Sequence, residues 1–204
     1  MSVKKYNYID FSTVQVFEKK IASFFGAPYA VAFDSCTHGI EACLYLTNTK
    51  KIIVPKRTYI SIPFLAKKMN IFLEWKDENW KDYYYITENI IDAAVLWKKN
   101  SFISGTFMSL SFQYQKHLSL GRGGAVLCSN KNDYEALKKL SYDGRLPSIP
   151  WRDQDIESFG LHYYMTPETA QMGIDKLDKA IKTTPKDWKI SDWPDLSILK
   201  VFEN

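Results

Sequence analysis

The chain has 204 residues, of which 46% are hydrophobic, and 27 Lys and Arg against 23 Asp and Glu leave a formal net charge of +4. This composition favours a globular chain with a substantial core, and it excludes a disordered or collagen-like chain. The basic residues are scattered and no apolar run approaches the roughly 18 residues of a membrane span, so we expect neither a nucleic-acid partner nor a membrane partner.

The chain alternates segments of helical and strand character. Helical segments repeat apolar residues every three or four positions, whereas strands are short apolar runs bounded by turn residues. Gly26 ends the first helical pattern, and Thr166 and Pro167 are a typical N-cap and first helical residue for the last one. The predicted elements are a helix over 12–25, a strand over 29–33, a helix over 36–47, a strand over 51–54, a helix over 61–69, strands over 71–75, 83–86, 89–92, 106–112 and 123–128, and helices over 132–142 and 166–181.

Strand–turn–helix units in series predict an α/β fold, arranged as three α/β/α layers with a mostly parallel sheet. Residues 1–183 would form one large domain. Residues 184–204 would form an extension rather than a domain, and its Trp188 and Trp193 would pack either on this chain or on a partner. Because ligands of open α/β sheets bind beyond the carboxyl ends of the strands, the loops that follow the strands are the places to look for a site.

Two of these loops combine polar groups with a helix start or a buried strand end. Ser35, Cys36 and Thr37 offer hydroxyls and a helix N-terminus to an anion such as phosphate, or they form an ordinary N-cap. Asp92 ends an apolar strand, where a carboxylate needs a positive partner or several donors. It is either a functional carboxylate or a structural hydrogen-bond acceptor.

Two further loops carry a lysine and a glycine turn. Ser111 precedes Lys116 at a strand exit, and the turn over Gly121–Gly124 allows the backbone to approach another group closely. Each signal is weak by itself. With Tyr59 as a ring cover, the loops together supply what pyridoxal phosphate (PLP) needs: a Schiff-base lysine, a carboxylate for the pyridine nitrogen and a phosphate cup.

The sequence resembles the DegT-type nucleotide-sugar aminotransferases, which are fold-type I, aspartate-aminotransferase-like PLP enzymes. The resemblance runs from about Val14 to Ile181, and its most specific part is the lysine segment with the glycine turn behind it. The matching motifs are Asp34-Ser-Cys-Thr37 for the family's Asn-Ser-Gly-Thr, Pro55-Lys-Arg-Thr-Tyr59 for Pro-x-x-Thr-aromatic, Ile91-Asp-Ala-Ala94 for Glu-Asp-Ala-Ala, and Ser111-Phe-x-x-x-Lys116 followed by Gly121-x-Gly-Gly124.

The resemblance implies the PLP-dependent transferase large-domain fold and transfer of an amino group from an amino acid such as glutamate to a keto-sugar, which is typically nucleotide-linked. It implies a homodimer with the site at the subunit interface. Lys116 and Asp92 would be the catalytic residues. The residues that the resemblance places on the cofactor are Lys116, Asp92, Ser35, Cys36, Thr37, Tyr59, Ser111, Ala94 and His162.

Several positions depart from the family pattern. Val95 stands where members usually have Gln or His, His162 replaces an Asn that reaches the cofactor's phosphate across the dimer, and Tyr164 replaces an Arg. Arg122 reverses the charge of the usual acidic residue. The segment before Asp92 is short by about one strand–helix unit. The chain is therefore expected to be a shortened member that lacks the usual C-terminal domain.

These departures keep an alternative function open, namely a PLP-binding but catalytically inactive remnant that acts as a binding or partner protein. A sugar dehydratase is a weaker alternative, since the known family dehydratases have His where this chain has Lys116. A plain nucleotide-binding module would explain the layout of the elements but not the lysine segment with its glycine turn.

The three cysteines and three histidines form no pair with metal-ligand spacing, so we expect no metal site. The odd number of cysteines does not suggest a disulfide framework. The first ten residues are polar and lack the apolar stretch of a signal peptide. A cytoplasmic location is the expectation from these two features.

Overall fold

The structure is a computed structural model that describes residues 10–203. These residues contain five α-helices and seven β-strands. Residues 1–9, on which the expectation about a signal peptide depends, lie outside this range. The elements are α1 (Phe11–Phe25), β1 (Tyr29–Phe33), α2 (Cys36–Leu46), β2 (Lys51–Pro55), α3 (Ser61–Met69), β3 (Phe72–Lys76), β4 (Tyr84–Tyr85), β5 (Ile90–Asp92), β6 (Phe107–Ser111), β7 (Gly124–Cys128), α4 (Lys131–Ser141) and α5 (Pro167–Lys182), with short 3-10 helices at 151–153, 190–192 and 200–202.

Helix ends lie close to where the sequence predicts them, because side chains cap the free backbone groups there. Asp10 accepts a hydrogen bond from the backbone N–H of Ser12 and begins α1, and Gly26 ends that helix in a left-handed conformation with φ of 76°. Thr166 caps α5 ahead of Pro167. The predicted α/β fold is thus confirmed at the level of its elements.

The strands form a mixed sheet rather than the mostly parallel one that the sequence suggests. The larger sheet has the order β1-β7-β6-β5-β4, in which only the β5–β6 pair is parallel, and β2 and β3 form a separate parallel pair. The connections from β4 to β5 and from β6 to β7 contain no helix that would cross the sheet, so each pair closes as an antiparallel one. Since β7 opposes both neighbours, β1 and β6 still point the same way.

Helices cover both faces of the sheet and complete the predicted three layers. On β1, Ala30 and Ala32 contribute to a core cluster with α1 and α5, while Val31 and Phe33 contribute to a second cluster with α2, α3 and α4. This alternation follows from the two-residue period of a strand. The described residues include no helix long and apolar enough to cross a membrane.

β1 is an edge strand of the larger sheet, and a buried ion pair lies against its free edge. Glu18 of α1 accepts a hydrogen bond of 2.8 Å from the backbone N–H of Ala32 and two from Nζ of Lys138 in α4, at 2.9 and 3.1 Å. Burial raises the pKa of Glu18, and the charge of Lys138 opposes that rise. The pair ties α1 and α4 to opposite sides of the same edge strand.

Replacing Lys138 with Met is expected to destabilise the fold by about 3–5 kcal/mol at neutral pH, because it leaves the Glu18 carboxylate buried without its cation. The loss should shrink as the pH falls, since a protonated Glu18 needs no partner. Urea unfolding at several pH values measures this. Lys139→Met, at the exposed neighbouring position, is the control, and an equal loss in both variants would contradict the role of the pair.

Candidate active site

A cavity of about 160 Å³ opens where the C-terminal ends of β5 and β6 meet the N-terminus of α2. Every predicted site residue except His162 lines it, so residues far apart in sequence share one space. Thr58, Trp80, Val95, Arg122 and Trp193 line it as well. The predicted residues on its wall are Ser35, Cys36, Thr37, Tyr59, Asp92, Ala94, Ser111 and Lys116.

The N-terminus of α2 forms one end of the cavity. Ser35 is its N-cap and accepts a hydrogen bond of 3.1 Å from the backbone N–H of His38, and Thr37 shares a hydrogen bond of 2.7 Å with the hydroxyl of Ser61. The first N–H groups of a helix have no partner inside it and attract anions. Burial raises the pKa of the Cys36 thiol well above its usual value, so the thiol is neutral.

Gly124, the first residue of β7, explains how α2 comes so close to the sheet. A methyl group at this position would lie 2.7 Å from Cα of Cys36 and closer still to the backbone N of that residue. Only a residue without Cβ allows the two backbones to approach in this way. The glycine turn identified in the sequence is thus a packing feature of the cavity's polar end.

Asp92 lies at the end of β5 with only 5% of its surface exposed. Its Oδ1 accepts a hydrogen bond of 2.9 Å from the backbone N–H of Ala94, and its Oδ2 accepts one of 2.7 Å from the hydroxyl of Tyr84. Burial raises the pKa of Asp92, whereas the two hydrogen bonds and the charge of Lys116 lower it. The carboxylate is therefore both paired and directed toward the cavity, whose wall it forms.

Lys116 lies in the loop after β6, and its backbone N–H donates a hydrogen bond of 2.8 Å to the carbonyl of Gln113. Burial lowers the pKa of its ammonium group, while Asp92 opposes that shift. A lysine with a lowered pKa is more often neutral, and therefore more nucleophilic, than an exposed one. Its Nζ lies 4.5 Å from the ring centre of Trp188 and 5.5 Å from that of Trp193.

Sequence reasoning missed Thr58, Tyr84, Trp188 and Trp193 as site residues. Thr58 belongs to the Pro-x-x-Thr-aromatic motif over residues 55–59, so the sequence carried a signal for it. Tyr84 carried no signal, because it reaches Asp92 only through the antiparallel pairing of β4 with β5. The two tryptophans were noted in the sequence, but nothing in it placed them beside Lys116.

His162 lies outside the cavity of its own chain. Its ring contacts the Asp143 carboxylate at 3.0 Å, and 70% of its side chain is exposed. The resemblance assigns this position to the cofactor of a partner subunit, so its role stays a prediction. Among residues 10–203 no group of three or more His, Cys, Asp or Glu side chains is placed to hold a metal ion.

The model of the DegT/DnrJ/EryC1/StrS aminotransferase family matches residues 2–95 and 98–190. The chain belongs to this family. Comparison with the curated proteins finds no match.

Solved structures show the same fold at low sequence identity. AtS13 from Actinomadura melliaura is 18% identical with a TM-score of 0.71, and the alignment covers 84% of this chain and 61% of AtS13. The sugar aminotransferase CalS13 from Micromonospora echinospora is 14% identical with a TM-score of 0.68, covering 82% and 60%. The PLP form of the putative sugar aminotransferase Spr1654 from Streptococcus pneumoniae is 18% identical with a TM-score of 0.65, covering 82% and 59%. The chain thus spans less than two thirds of each.

Gly124→Ala is expected to destabilise the protein by at least about 2 kcal/mol, because the new methyl group overlaps the backbone of Cys36. Gly121→Ala is the matched comparison. Its φ of 78° is left-handed but nothing lies within 4 Å of the added methyl group, so only the backbone strain of about 1–2 kcal/mol is expected there. Thermal or urea unfolding measures the loss of stability in both variants. A larger loss in Gly121→Ala than in Gly124→Ala would refute the close approach of α2 and β7.

Proposed function

We propose that this DegT-family chain is a PLP-dependent aminotransferase that transfers an amino group from an amino acid such as glutamate to a keto-sugar, which is nucleotide-linked. The observation that carries the proposal is that the buried Asp92 and Lys116, whose pKa is lowered, line the same cavity. The N-terminus of α2 lines this cavity as well. PLP is the cofactor, and a cytoplasmic homodimer is the proposed working form.

The residues present fit PLP. Each Asp92 oxygen accepts one hydrogen bond from the protein, and a carboxylate oxygen has a further lone pair for the N–H of a pyridinium ring. The hydroxyls of Ser35, Thr37 and Ser111 and the N-terminus of α2 together suit a phosphate dianion. The half-exposed ring of Tyr59 lies at the cavity wall and suits an aromatic cover.

When bound, PLP acts as an electron sink that stabilises negative charge at the α-carbon of an amino acid. Lys116 would hold the cofactor covalently through Nζ and, once released, move a proton at the α-carbon of the amino donor. Asp92 would keep a proton on the ring nitrogen, which requires the carboxylate itself to be ionised. The hydrogen bonds from Tyr84 and Ala94 favour that ionised form.

A catalytically inactive PLP-binding protein is the second candidate. Val95 favours it, because this side chain lines the cavity and has no polar atom with which to hold a cofactor or substrate oxygen. Retention of both Lys116 and Asp92 on the cavity argues for the enzyme. Turnover with glutamate and a panel of nucleotide-linked keto-sugars separates the two functions.

Lys116→Ala is expected to abolish amino transfer and to remove both the visible absorbance band formed with added PLP and the borohydride-stable adduct on residue 116. The reason is that Lys116 is the one residue with a primary amine among those that line the cavity. Absorbance spectra before and after borohydride, followed by peptide mapping, measure the adduct.

Lys99→Ala, at an exposed lysine away from the cavity, is the control and should retain the band. An adduct on the parent chain without turnover of any keto-sugar would select the inactive binder. Absence of the band and of the adduct in the parent chain would refute PLP binding at this site.

A further inference from the structure

Two hydroxyl groups and one carboxylate form a buried chain of hydrogen bonds that ends at the cavity. Thr58 and Tyr84 share a hydrogen bond of 2.7 Å, and Tyr84 donates one of 2.7 Å to Oδ2 of Asp92. An ionised carboxylate only accepts, so the Tyr84 proton must point to Asp92 and the Thr58 hydroxyl must donate to Tyr84. Thr58 and Tyr84 are 2% and 3% exposed, so water does not replace either bond.

The position of Tyr84 depends on a local feature of this chain, the short antiparallel pairing of β4 with β5. Tyr84 lies directly opposite Asp92 in the register of the two strands. The groups that face the Asp92 carboxylate from the surrounding elements are Tyr84 from β4, Cys36 from α2 and Lys116 from the loop after β6. Cys36 is neutral and Lys116 acts only through its charge, so Tyr84 is the side chain that donates directly to this carboxylate.

We infer that Tyr84, supported by Thr58, is a positioning residue that orients the Asp92 carboxylate and holds it ionised in its buried place. The inference rests on the proposed function for its purpose, since an ionised Asp92 is what a protonated ring nitrogen requires. Its physical content concerns the chain alone. It can therefore be tested without cofactor or substrate.

The test is the pH dependence of the stability of Tyr84→Phe. Burial raises the pKa of Asp92, and loss of the Tyr84 hydroxyl should raise that pKa further. Below the unfolded pKa of about 4, Asp92 is protonated in every state, and the variant loses only neutral hydrogen bonds. As the pH rises, the folded variant must ionise Asp92 without the hydrogen bond from Tyr84, so its destabilisation relative to the parent grows. We expect its unfolding constant relative to the parent to rise at least about tenfold between pH 4 and pH 8.

Tyr85→Phe, at the exposed next position of β4, is the matched control and should show no such rise. The rise of the unfolding constant with pH should also vanish when Tyr84→Phe is made in Asp92→Asn and compared with Asp92→Asn alone. A destabilisation that is the same at every pH would overturn the inference and leave Tyr84 a packing residue. If Tyr84→Phe does not fold, Thr58→Val provides the same measurement with a smaller rise expected. Because no PLP is present, failure here leaves the test of the proposed function untouched.

A separate observation concerns the segment after α5, whose Trp188 and Trp193 lie against the ammonium group of Lys116. The rings of Trp188 and Trp193, here called the tryptophan cover, stack with centroids 5.6 Å apart, and Nζ of Lys116 faces both rings. Nζ of Lys186 lies 3.8 Å from the ring centre of Trp188. The cover therefore shields one side of the amine that the proposed reaction uses.

The two tryptophans are held unequally. The carbonyl of Trp193 accepts a hydrogen bond of 3.1 Å from Nη1 of Arg57, and the buried Leu196 donates its backbone N–H to the carbonyl of Lys56 at 2.8 Å. Trp193 also packs against Trp80, with centroids 6.1 Å apart. Trp188 is half-buried and is held by its stacking and by two ammonium groups.

The geometry points to a movable cover, in which Trp188 swings away from Lys116 to admit ligands while Trp193 stays anchored to the loop after β2. Trp188→Ala should then expose the amine. We expect the rate at which trinitrobenzenesulfonate modifies Lys116, followed by peptide mapping, to increase about fivefold, which matches the loss of one cation–π contact of about 1 kcal/mol.

Trp151→Ala, at an exposed tryptophan that does not line the cavity, should leave the rate at Lys116 unchanged. The other lysines of each sample serve as internal references. An unchanged or lower rate at Lys116 in Trp188→Ala would overturn the cover. The reagent needs no cofactor, so this result is independent of whether the chain binds PLP.

Discussion

A carboxylate at the buried end of β5 is the constraint around which the site is organised. Asp92 cannot remain in the interior as an unpaired charge, because desolvation of a carboxylate costs several kcal/mol. The structure meets this cost with a tyrosine from β4, a backbone N–H from its own loop and a lysine across the cavity. Groups from β4, from the loop after β5 and from the loop after β6 therefore converge on one side chain.

A second pairing explains two departures from the family motifs. The sequence has Asp34 where the phosphate loop of the family has Asn, and Arg122 where the family has an acidic residue. Nη2 of Arg122 lies 3.0 Å from Oδ2 of Asp34 and its Nε donates to the Asp34 carbonyl at 3.3 Å. Asp34 and Arg122 together carry no net charge, whereas the Asn and the acidic residue of the family pattern together carry one negative charge. Arg122 is largely exposed, so the pair contributes little stability, and the polar end of the cavity is more positive by one charge than the family pattern would make it.

Local patterns predicted the elements of the fold well and its strand directions poorly. The apolar periodicity of 12–25 and the cap residues Gly26 and Thr166 act over a few positions, so one sequence is enough to place them. Strand direction depends on which connections cross the sheet, and no local pattern of β7 reports that. In the same way Asp92 and Lys116 stood out by residue type and motif, whereas Tyr84 and Trp188 become site residues only through pairing and packing that bring distant segments together.

The state of Lys116 depends on opposing influences that different parts of the chain control. Burial lowers its pKa, while the negative charge of Asp92 raises it. The faces of Trp188 and Trp193 favour the charged form, because the ring quadrupole attracts a cation. A closed tryptophan cover therefore stabilises an ammonium group, which does not attack a carbonyl. Opening the cover removes that stabilisation in the same movement that admits a ligand, so access to Lys116 and its readiness to react are physically linked.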